Sequence, residues 1–247
     1  MEDIQVSHLS KEYQTRSGTV SAVRDLSLTI KRGTVFGFLG PNGAGKTTTI
    51  KMLVGLAEPT GGEVVILNGS PLDMHVRAQI GFMPESPSFY LYLTGEEFLE
   101  FVADIFGMQE KKQCIDEVLQ MVNLIEAKNR QIRTYSKGML QRLGLAQALL
   151  NDPRILFLDE PLDGLDPLGR AEIKTIFTDL KKKGKTIFFN SHILADVAEI
   201  CDSVGIIDKG TLVALDSPKA LSVAHHDLES AFVDIISLAR AKSTIVS

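Results

Sequence analysis

Residues 40–47 read Gly40-Pro41-Asn42-Gly43-Ala44-Gly45-Lys46-Thr47, and this stretch decides the fold. It matches the phosphate-binding loop pattern G-x-x-x-x-G-K-[ST] in full and follows an apolar run typical of a buried strand. Glycines let such a loop fold into a concave nest whose N–H groups point at phosphate oxygens. The alternative, a glycine-rich turn that binds nothing, is disfavoured by the strand before it. The stretch therefore indicates a nucleotide site.

Two side chains at the end of this loop have the chemistry that a nucleoside triphosphate needs. Lys46 brings a point charge to the β- and γ-phosphates, and the hydroxyl of Thr47 can ligate Mg²⁺. A helix that begins near Lys46 adds the positive end of its dipole. The loop residues expected to bind the nucleotide are Gly40, Pro41, Asn42, Gly43, Ala44, Gly45, Lys46, Thr47 and Thr48.

Composition and charge predict a soluble globular protein. The 247 residues are 44% hydrophobic and 23% charged, with a formal net charge of −5, which argues against general nucleic-acid binding. Cys114 and Cys201 form no metal or redox spacing, suit a reducing cytosol, and are expected to be small buried hydrophobes. Residues 33–45, the longest charge-free run, are broken by glycines and a proline, and the N-terminus has no signal-peptide pattern. We expect a cytoplasmic protein without a membrane span.

Strand and helix patterns alternate along the chain except in one helical block. Residues 155–158 and 186–189 are apolar runs of the kind that is buried on both faces of a parallel sheet. Between Thr94, which forms a capping box with Glu97, and Leu150 the pattern is helical. The alternation predicts an α/β core interrupted by a helical insertion.

Domain bounds follow from these shifts. We expect the core in residues 1–86 and 152–218, the helical insertion in 87–151, and a helical tail in 219–247. The stripe in this tail either covers the core or is a docking or dimer-contact helix. The stripe consists of Leu228, Phe232, Ile235 and Ile236.

Polar residues follow two of the predicted buried strands. Asp159 and Glu160 end the first run, and in this order after a phosphate loop Asp159 is expected to hold Mg²⁺ through water. Glu160 can orient or deprotonate the attacking water. His192 follows the next strand, which places an imidazole at the same edge of the sheet and favours a ligand role over a structural one.

The segment Thr134-Tyr135-Ser136-Lys137-Gly138-Met139-Leu140-Gln141-Arg142 completes a set of motifs in a recognisable order. The chain resembles the ATP-binding subunit of ATP-binding-cassette (ABC) transporters over about residues 2–216. In this resemblance residues 40–48 are the Walker A loop, residues 159–160 are Walker B, and residues 164–166 are the D-loop. The segment above stands at the family signature.

The resemblance implies roles for residues that lie far from the loop. Tyr13, which by itself reads as a half-buried aromatic at the start of a loop at residues 13–18, would stack on adenine. His192 would be the switch histidine. The remaining implied nucleotide contacts are Ser136, Gly138 and Asp166, and the implied metal ligands are Thr47, Glu85 and Asp159.

The resemblance also implies a fold, an activity and partners. The fold is a P-loop NTPase core with a mixed, largely parallel sheet, an antiparallel β subdomain and an inserted α-helical subdomain. The activity is MgATP hydrolysis that powers a separate membrane-spanning permease subunit. The cassette would pair head to tail with a second cassette, a homodimer in the simplest case, at the cytoplasmic face of the cell membrane.

Two positions depart from the usual pattern of the family. Glu85 stands where the Q-loop usually has Gln, and the signature begins Tyr-Ser-Lys-Gly-Met in place of the usual Leu-Ser-Gly-Gly-Gln. Glutamate adds a charge beside the metal. Both departures resemble the ABC-2 exporter branch, which suggests export.

Two other functions are compatible with a nucleotide loop. A soluble ABC-type ATPase, such as one that assembles iron–sulfur clusters, is the main alternative to a transporter subunit. A nucleotide-binding regulator without hydrolysis is expected to lack Glu160 or His192, and both are present.

Overall fold

The computed structural model describes residues 1–16 and 18–245, with side chains up to residue 241. Its strands are β1 (Glu2–Thr15), β2 (Gly18–Lys31), β3 (Val35–Leu39), β4 (Gly61–Ile66), β5 (Ile80–Met83), β6 (Ile155–Asp159), β7 (Thr186–Asn190), β8 (Ser203–Asp208) and β9 (Thr211–Asp216). Its helices are α1 (Lys46–Leu53), α2 (Met74–Arg77), α3 (Gly95–Ile105), α4 (Lys111–Met121), α5 (Lys137–Leu149), α6 (Pro167–Lys182), α7 (Leu194–Ile200), α8 (Pro218–Leu221) and α9 (Leu228–Ile245).

The strands form two sheets. The larger sheet has the order β5-β6-β7-β3-β8-β9, in which neighbours are parallel except for the antiparallel pair of β8 and β9. The smaller sheet has the antiparallel order β2-β1-β4. The large sheet is mixed and largely parallel, the small sheet is antiparallel, and the insertion contains three helices. These features confirm the predicted fold class.

Both faces of the large sheet are covered. Every residue of β3, β6 and β7 is buried, as the continuous apolar runs predicted. On one face the rings of Phe36, Phe38 and Phe157 surround that of Phe188, with centroids 5.3–5.6 Å from it. Leu156, Leu158 and Phe189 point to the opposite core, which also contains the helices of the insertion. The two cores hold the ends of the parallel strands in register.

The insertion folds as three packed helices. The predicted capping box at the start of α3 is present: the Thr94 hydroxyl accepts from the Glu97 amide, and the Glu97 carboxylate accepts from the Thr94 amide. Gly107 follows the end of this helix with φ 65°, a left-handed conformation that favours glycine. The helices bury Leu99, Leu119 and Leu143 against the large sheet. The predicted bounds of this unit, residues 87–151, stay a prediction.

Some predicted elements were wrong in extent. The predicted loop at residues 13–18 is largely strand, because β1 continues to Thr15 and β2 begins at Gly18, and their pairing extends the hairpin beyond the core. α6 begins at Pro167 because the Asp166 side chain caps it. α2 was not predicted, since four residues carry too little periodicity.

The tail helix covers the large sheet. Leu228 and Ile236 are buried, and Phe232 and Ile235 pack partly buried against the same core, so this stripe is occupied. The last two residues of the predicted tail lie outside the described residues. None of the helices described here combines the length and the apolar character that crossing a bilayer requires.

Candidate functional site

The phosphate loop joins the end of β3 to the start of α1. Gly43 has φ 76°, and Gly45, the N-cap residue of α1, has φ 109°. A Cβ atom on Gly45 would lie 2.4 Å from the carbonyl oxygen of Ala22, and one on Gly40 would lie 2.3 Å from that of Ile207. Because an added Cβ would clash with these backbone carbonyl oxygens, glycine is required at positions 40 and 45.

Lys46 turns its ammonium group into the loop. Its side chain is buried, and Nζ donates to the carbonyl oxygens of Gly40, at 2.7 Å, and Pro41, at 3.2 Å. A positive charge held within a phosphate-binding loop matches the charge of a bound phosphate. The loop is thus a cradle for an anion.

A cavity of about 350 Å³ opens on this loop. Polar residues from three other strand ends face it, which gives it the mixed charge of a metal–phosphate site. The lining residues are Ala22, Asn42, Gly43, Gly45, Lys46, Thr47, Thr48, Glu85, Asp159, Glu160 and Asn190. A larger groove of about 710 Å³ lies between α4, α5 and α6, but it contains none of the predicted site residues. We therefore identify the smaller cavity as the candidate functional site.

Glu160 sits immediately after β6 in a strained backbone conformation. Its φ of 53° is left-handed, which is uncommon for a residue with a side chain. The Glu160 amide donates to Oδ1 of Asn190 at 2.6 Å, and its carbonyl oxygen accepts from Nε2 of Gln141 at 2.8 Å. Nδ2 of Asn190 also donates to the buried carboxylate of Asp159. Asn190 and Gln141 therefore clamp the backbone on both sides of the predicted base.

His192 contacts the carboxylate of Glu160. Its Nδ1 lies 2.9 Å from Oε2 of Glu160, and its backbone amide donates to the same oxygen at 3.2 Å. The Glu160 side chain is only 13% exposed, whereas that of His192 is 57% exposed. The predicted pair is brought together, with the imidazole between the carboxylate and solvent.

The predicted metal ligands Thr47, Glu85 and Asp159 all line the cavity. No group of three or more His, Cys, Asp or Glu side chains in the described part of the chain is arranged as a complete metal site. A hydroxyl and carboxylates are nonetheless the ligands of a Mg²⁺ ion that keeps waters and binds phosphate oxygens as well. The donor set fits MgATP better than a metal held by protein alone.

Of the predicted loop contacts, Gly40, Pro41 and Ala44 are not among the lining residues, and four predicted contacts from other segments also lie outside this cavity. Tyr13 pairs with Val20 on the β1–β2 hairpin, where the Lys11 ammonium lies 5.1 Å from its ring centroid. Ser136 is the N-cap residue of α5. Gly138 lies in the first turn of that helix, and Asp166 caps α6. Their nucleotide contacts remain predictions.

An ion pair joins the signature to the segment before the D-loop. Nζ of Lys137 lies 2.7 Å from Oδ2 of Asp163, and this ammonium group lowers the pKa of the Asp163 carboxyl. The Gly138 Cα faces the side chain of Leu165, to which an added Cβ would lie 3.3 Å. The start of α5 and the segment 163–165 are therefore in direct contact.

Sequence reasoning missed Asn190 and Gln141. Asn190 could have been found, since it is the polar residue that ends an apolar strand, as Asp159 is. Gln141 carries no comparable signal, because it lies within a helix and only the packing of α5 aims it at Glu160.

Comparison with known proteins places the chain among relatives of similar sequence. A family profile described as ABC transporter matches residues 23–163. An uncharacterised ABC transporter ATP-binding protein of Nostoc is 49% identical over 222 residues, which cover 87% of this chain and 66% of that protein. The bacitracin transport ATP-binding protein of Bacillus licheniformis is 43% identical over 85% of this chain and 68% of its own. A fluoroquinolones export ATP-binding protein of Mycobacterium tuberculosis is 42% identical over 82% of this chain and 67% of its own. The chain thus spans about two thirds of the length of these relatives.

Solved structures agree with the sequence comparison. An ATP-binding subunit of an ABC transporter superposes with a TM-score of 0.85 at 30% identity, covering 94% of this chain and 99% of that one. A dimeric ATP-binding cassette in a post-hydrolysis state with ADP and Pi gives a TM-score of 0.81 at 25% identity, covering 87% and 98%. With the profile covering more than half of the chain, and with the loop, the strand-end carboxylates and the histidine assembled at one edge of the sheet, the chain belongs to the ABC transporter family.

Proposed function

We propose that this chain is the ATP-hydrolysing subunit that powers export through a separate membrane-spanning subunit. One observation carries the proposal: the carboxylate of Glu160, held by Asn190 and His192, lies at the same cavity as the anion cradle around Lys46. Relatives named for bacitracin transport and fluoroquinolone export support the transport role. No observation favours iron–sulfur assembly.

The phosphate loop binds the triphosphate of ATP. Lys46 exchanges its contacts with the loop carbonyls for phosphate oxygens. Thr47, Asp159 and Glu85 would hold Mg²⁺, which neutralises charge on the β- and γ-phosphates. The carboxylate of Glu85 gives this site one more negative charge than a Gln would.

Glu160 acts on the water that attacks the γ-phosphorus. The carboxylate accepts a proton from that water as the new P–O bond forms, and the bond to the leaving ADP oxygen breaks. His192 holds Oε2 through two contacts and fixes the direction of the carboxylate. The left-handed backbone of Glu160 aims its side chain away from the strand and toward the cavity.

We expect Glu160→Gln to retain ATP binding while hydrolysis falls at least about tenfold, roughly 1.4 kcal/mol in barrier, because the amide cannot accept the proton. The measurement is steady-state phosphate release beside an ATP-binding titration. Glu117→Gln, an exposed glutamate of α4, is the control. Near-normal turnover in Glu160→Gln contradicts the assignment.

Asn190→Ala should lower hydrolysis about tenfold, with a smaller effect on ATP affinity, because Glu160 loses the acceptor that holds its strained backbone. The buried amide left without that acceptor should also cost about 1–3 kcal/mol of unfolding free energy. Urea unfolding and turnover per folded molecule test both effects. The exposed Asn129→Ala is the control, and normal turnover in Asn190→Ala would reject the clamp.

The signature acts on the nucleotide of a second cassette. Ser136 is the N-cap residue of α5, whose first-turn amides and helix dipole favour an anion, and it is not among the residues that line the chain's own cavity. The dimeric cassette among the solved relatives supports a second copy as the partner. Two ATP molecules are then sandwiched between the loop of one protomer and the signature of the other.

Mixed dimers that carry Lys46→Ala and Ser136→Arg test this arrangement by counting occluded nucleotide in a Glu160→Gln background. With the two changes on different protomers, one composite site is damaged twice and the other is intact, so we expect one trapped ATP per dimer. With both changes on one protomer, each composite site is damaged once, and close to none should be trapped. The reverse pattern means that the signature serves its own chain.

A surface of exposed apolar side chains suits the membrane-spanning partner. We call it the aromatic patch, and it consists of Tyr90, Leu91, Tyr92, Phe101, Ile105 and Phe106, which are 44–69% exposed. Phe89, in contrast, packs edge to face on Phe98 and belongs to the core. The patch adjoins a cleft of about 240 Å³ that Phe106 shares with Leu56 and Arg77. Contiguous exposed apolar surface of this kind marks a protein contact. The partner holds the chain at the cytoplasmic face of the membrane.

We expect Tyr92→Ala, which removes the most exposed ring of the patch, to weaken co-purification with the membrane subunit while basal ATPase changes little. Tyr90→Ala should act in the same direction, since its ring contacts both Tyr92 and Phe101. Val223→Ala, an exposed apolar residue between α8 and α9, is the control. Equal loss of association and of folding stability would favour a core role for the patch.

A further inference from the structure

The tail helix contacts the turn behind the phosphate loop through an ion pair. Nε of Arg240 donates to Oδ2 of Asp208, and Nη2 donates to Oδ1, both at 2.9 Å. The Asp208 side chain is 6% exposed, and the guanidinium holds the pKa of this carboxyl below its ordinary value. Two parallel bonds from a planar fork to a buried carboxylate define position as well as charge.

Asp208 ends β8 at the start of a tight hairpin turn. Lys209 and Gly210 have φ of 48° and 82°, and Asp208 pairs with Thr211 across them, the pattern of a two-residue type I′ turn. Such a turn has few internal degrees of freedom. Holding its first residue therefore holds the amide of Gly210.

The β8–β9 turn packs directly against the phosphate loop. The Gly210 amide donates to the carbonyl oxygen of Ala44 at 2.9 Å, and the Gly210 carbonyl oxygen accepts from the Arg24 amide at 2.7 Å. The Ile207 carbonyl oxygen stands behind Gly40, and its side chain lies against Gly45. Residues 207–210 touch the loop at its beginning, middle and end.

We propose that Arg240 is a positioning residue for ATP binding: through Asp208 it holds the β8–β9 turn against the phosphate loop. The tail helix thereby sets the shape of the cradle, although none of its residues is among those that line the cavity. This inference rests on the proposed function, since it concerns the affinity of that same site for ATP. A contact that loosens α9 lowers ATP affinity, which makes the helix a point of control.

The test is MgATP affinity and steady-state kinetics of the full chain, measured well below the unfolding transition and expressed per folded molecule. We expect Arg240→Gln to raise the Kd and the KM for ATP about fivefold, the low end of coupling between linked sites, with a smaller change in kcat. Arg240→Lys keeps the charge without the fork and should lie between wild type and Arg240→Gln. The peptide that contains Gly210 should exchange its amide hydrogens faster in Arg240→Gln.

Two further variants separate positioning from damage to the fold. Asp208→Asn combined with Arg240→Gln leaves no buried charge unpaired and should lose no more affinity than Arg240→Gln alone, because both changes break one pathway. Lys182→Gln, which breaks an exposed pair with Asp179 on α6, is the control and should bind ATP as wild type does. If Arg240→Gln does not fold, the double variant and Arg240→Lys carry the test.

Unchanged Kd and KM in the folded variants overturn the proposal, whatever happens to exchange at Gly210. A lowered kcat with an unchanged KM also overturns it, since that is the signature of general structural damage. Wild-type protein that fails to bind MgATP in the same titration refutes the proposed function instead. The two failures are therefore distinguishable.

Discussion

Parallel pairing of β5, β6, β7, β3 and β8 is the constraint on which the rest of the structure depends. Parallel strands end at the same edge of a sheet, so the pairing of β6 with β7 places Asp159 opposite Asn190. The same pairing sets the end of β3, and hence the phosphate loop, beside them. Parallel sheets need both faces covered, which accounts for the two hydrophobic cores and for the apolar character of the central strands. Parallel strand pairing thus determines both the position of the site and the packing of the core.

Strain at that edge is concentrated in one residue. Glu160 is held in a left-handed conformation by the side chains of Asn190 and Gln141, which come from a neighbouring strand and from α5. Such a conformation persists only where the surroundings over-determine it. Because Gln141 belongs to the helix that starts at Ser136, the orientation of the proposed base depends on the position of the signature helix. The ion pair of Lys137 with Asp163 ties the same helix to the segment after Walker B.

Three surfaces around the core have different roles in the proposed function. In the proposed function the start of α5 at Ser136 faces a second cassette, and the aromatic patch on the insertion faces a membrane-spanning subunit. The tail helix packs at β8 and β9, at the other end of the strand order from β5, where Arg240 meets the turn behind the loop. Hydrogen bonds link two of these surfaces to the site: Gln141 of α5 donates to the carbonyl oxygen of Glu160, and Arg240 of the tail helix reaches the phosphate loop through Asp208 and Gly210.

The amino-acid sequence by itself determined the phosphate loop, the buried strands, the capping box of α3 and the strand-end residues Asp159, Glu160 and His192. These features are local: a few neighbouring residues decide a loop conformation, an apolar run or a cap. The motif order also determined the family, which the comparisons confirmed.

Only the tertiary structure decided which distant side chains meet. It placed Gln141 on the Glu160 carbonyl, Arg240 on Asp208, and Phe89 in the core while Tyr92 stays exposed. It also extended the β1–β2 hairpin through the predicted loop, because cross-strand pairing outweighs the polar character of residues 13–16. Contacts between residues far apart in the chain depend on register and helix packing, which no short stretch of sequence encodes. The chemical groups of the site could be predicted from short stretches of sequence. The hydrogen bonds of Asn190 and Gln141 that hold the backbone of Glu160 exist only in the folded chain.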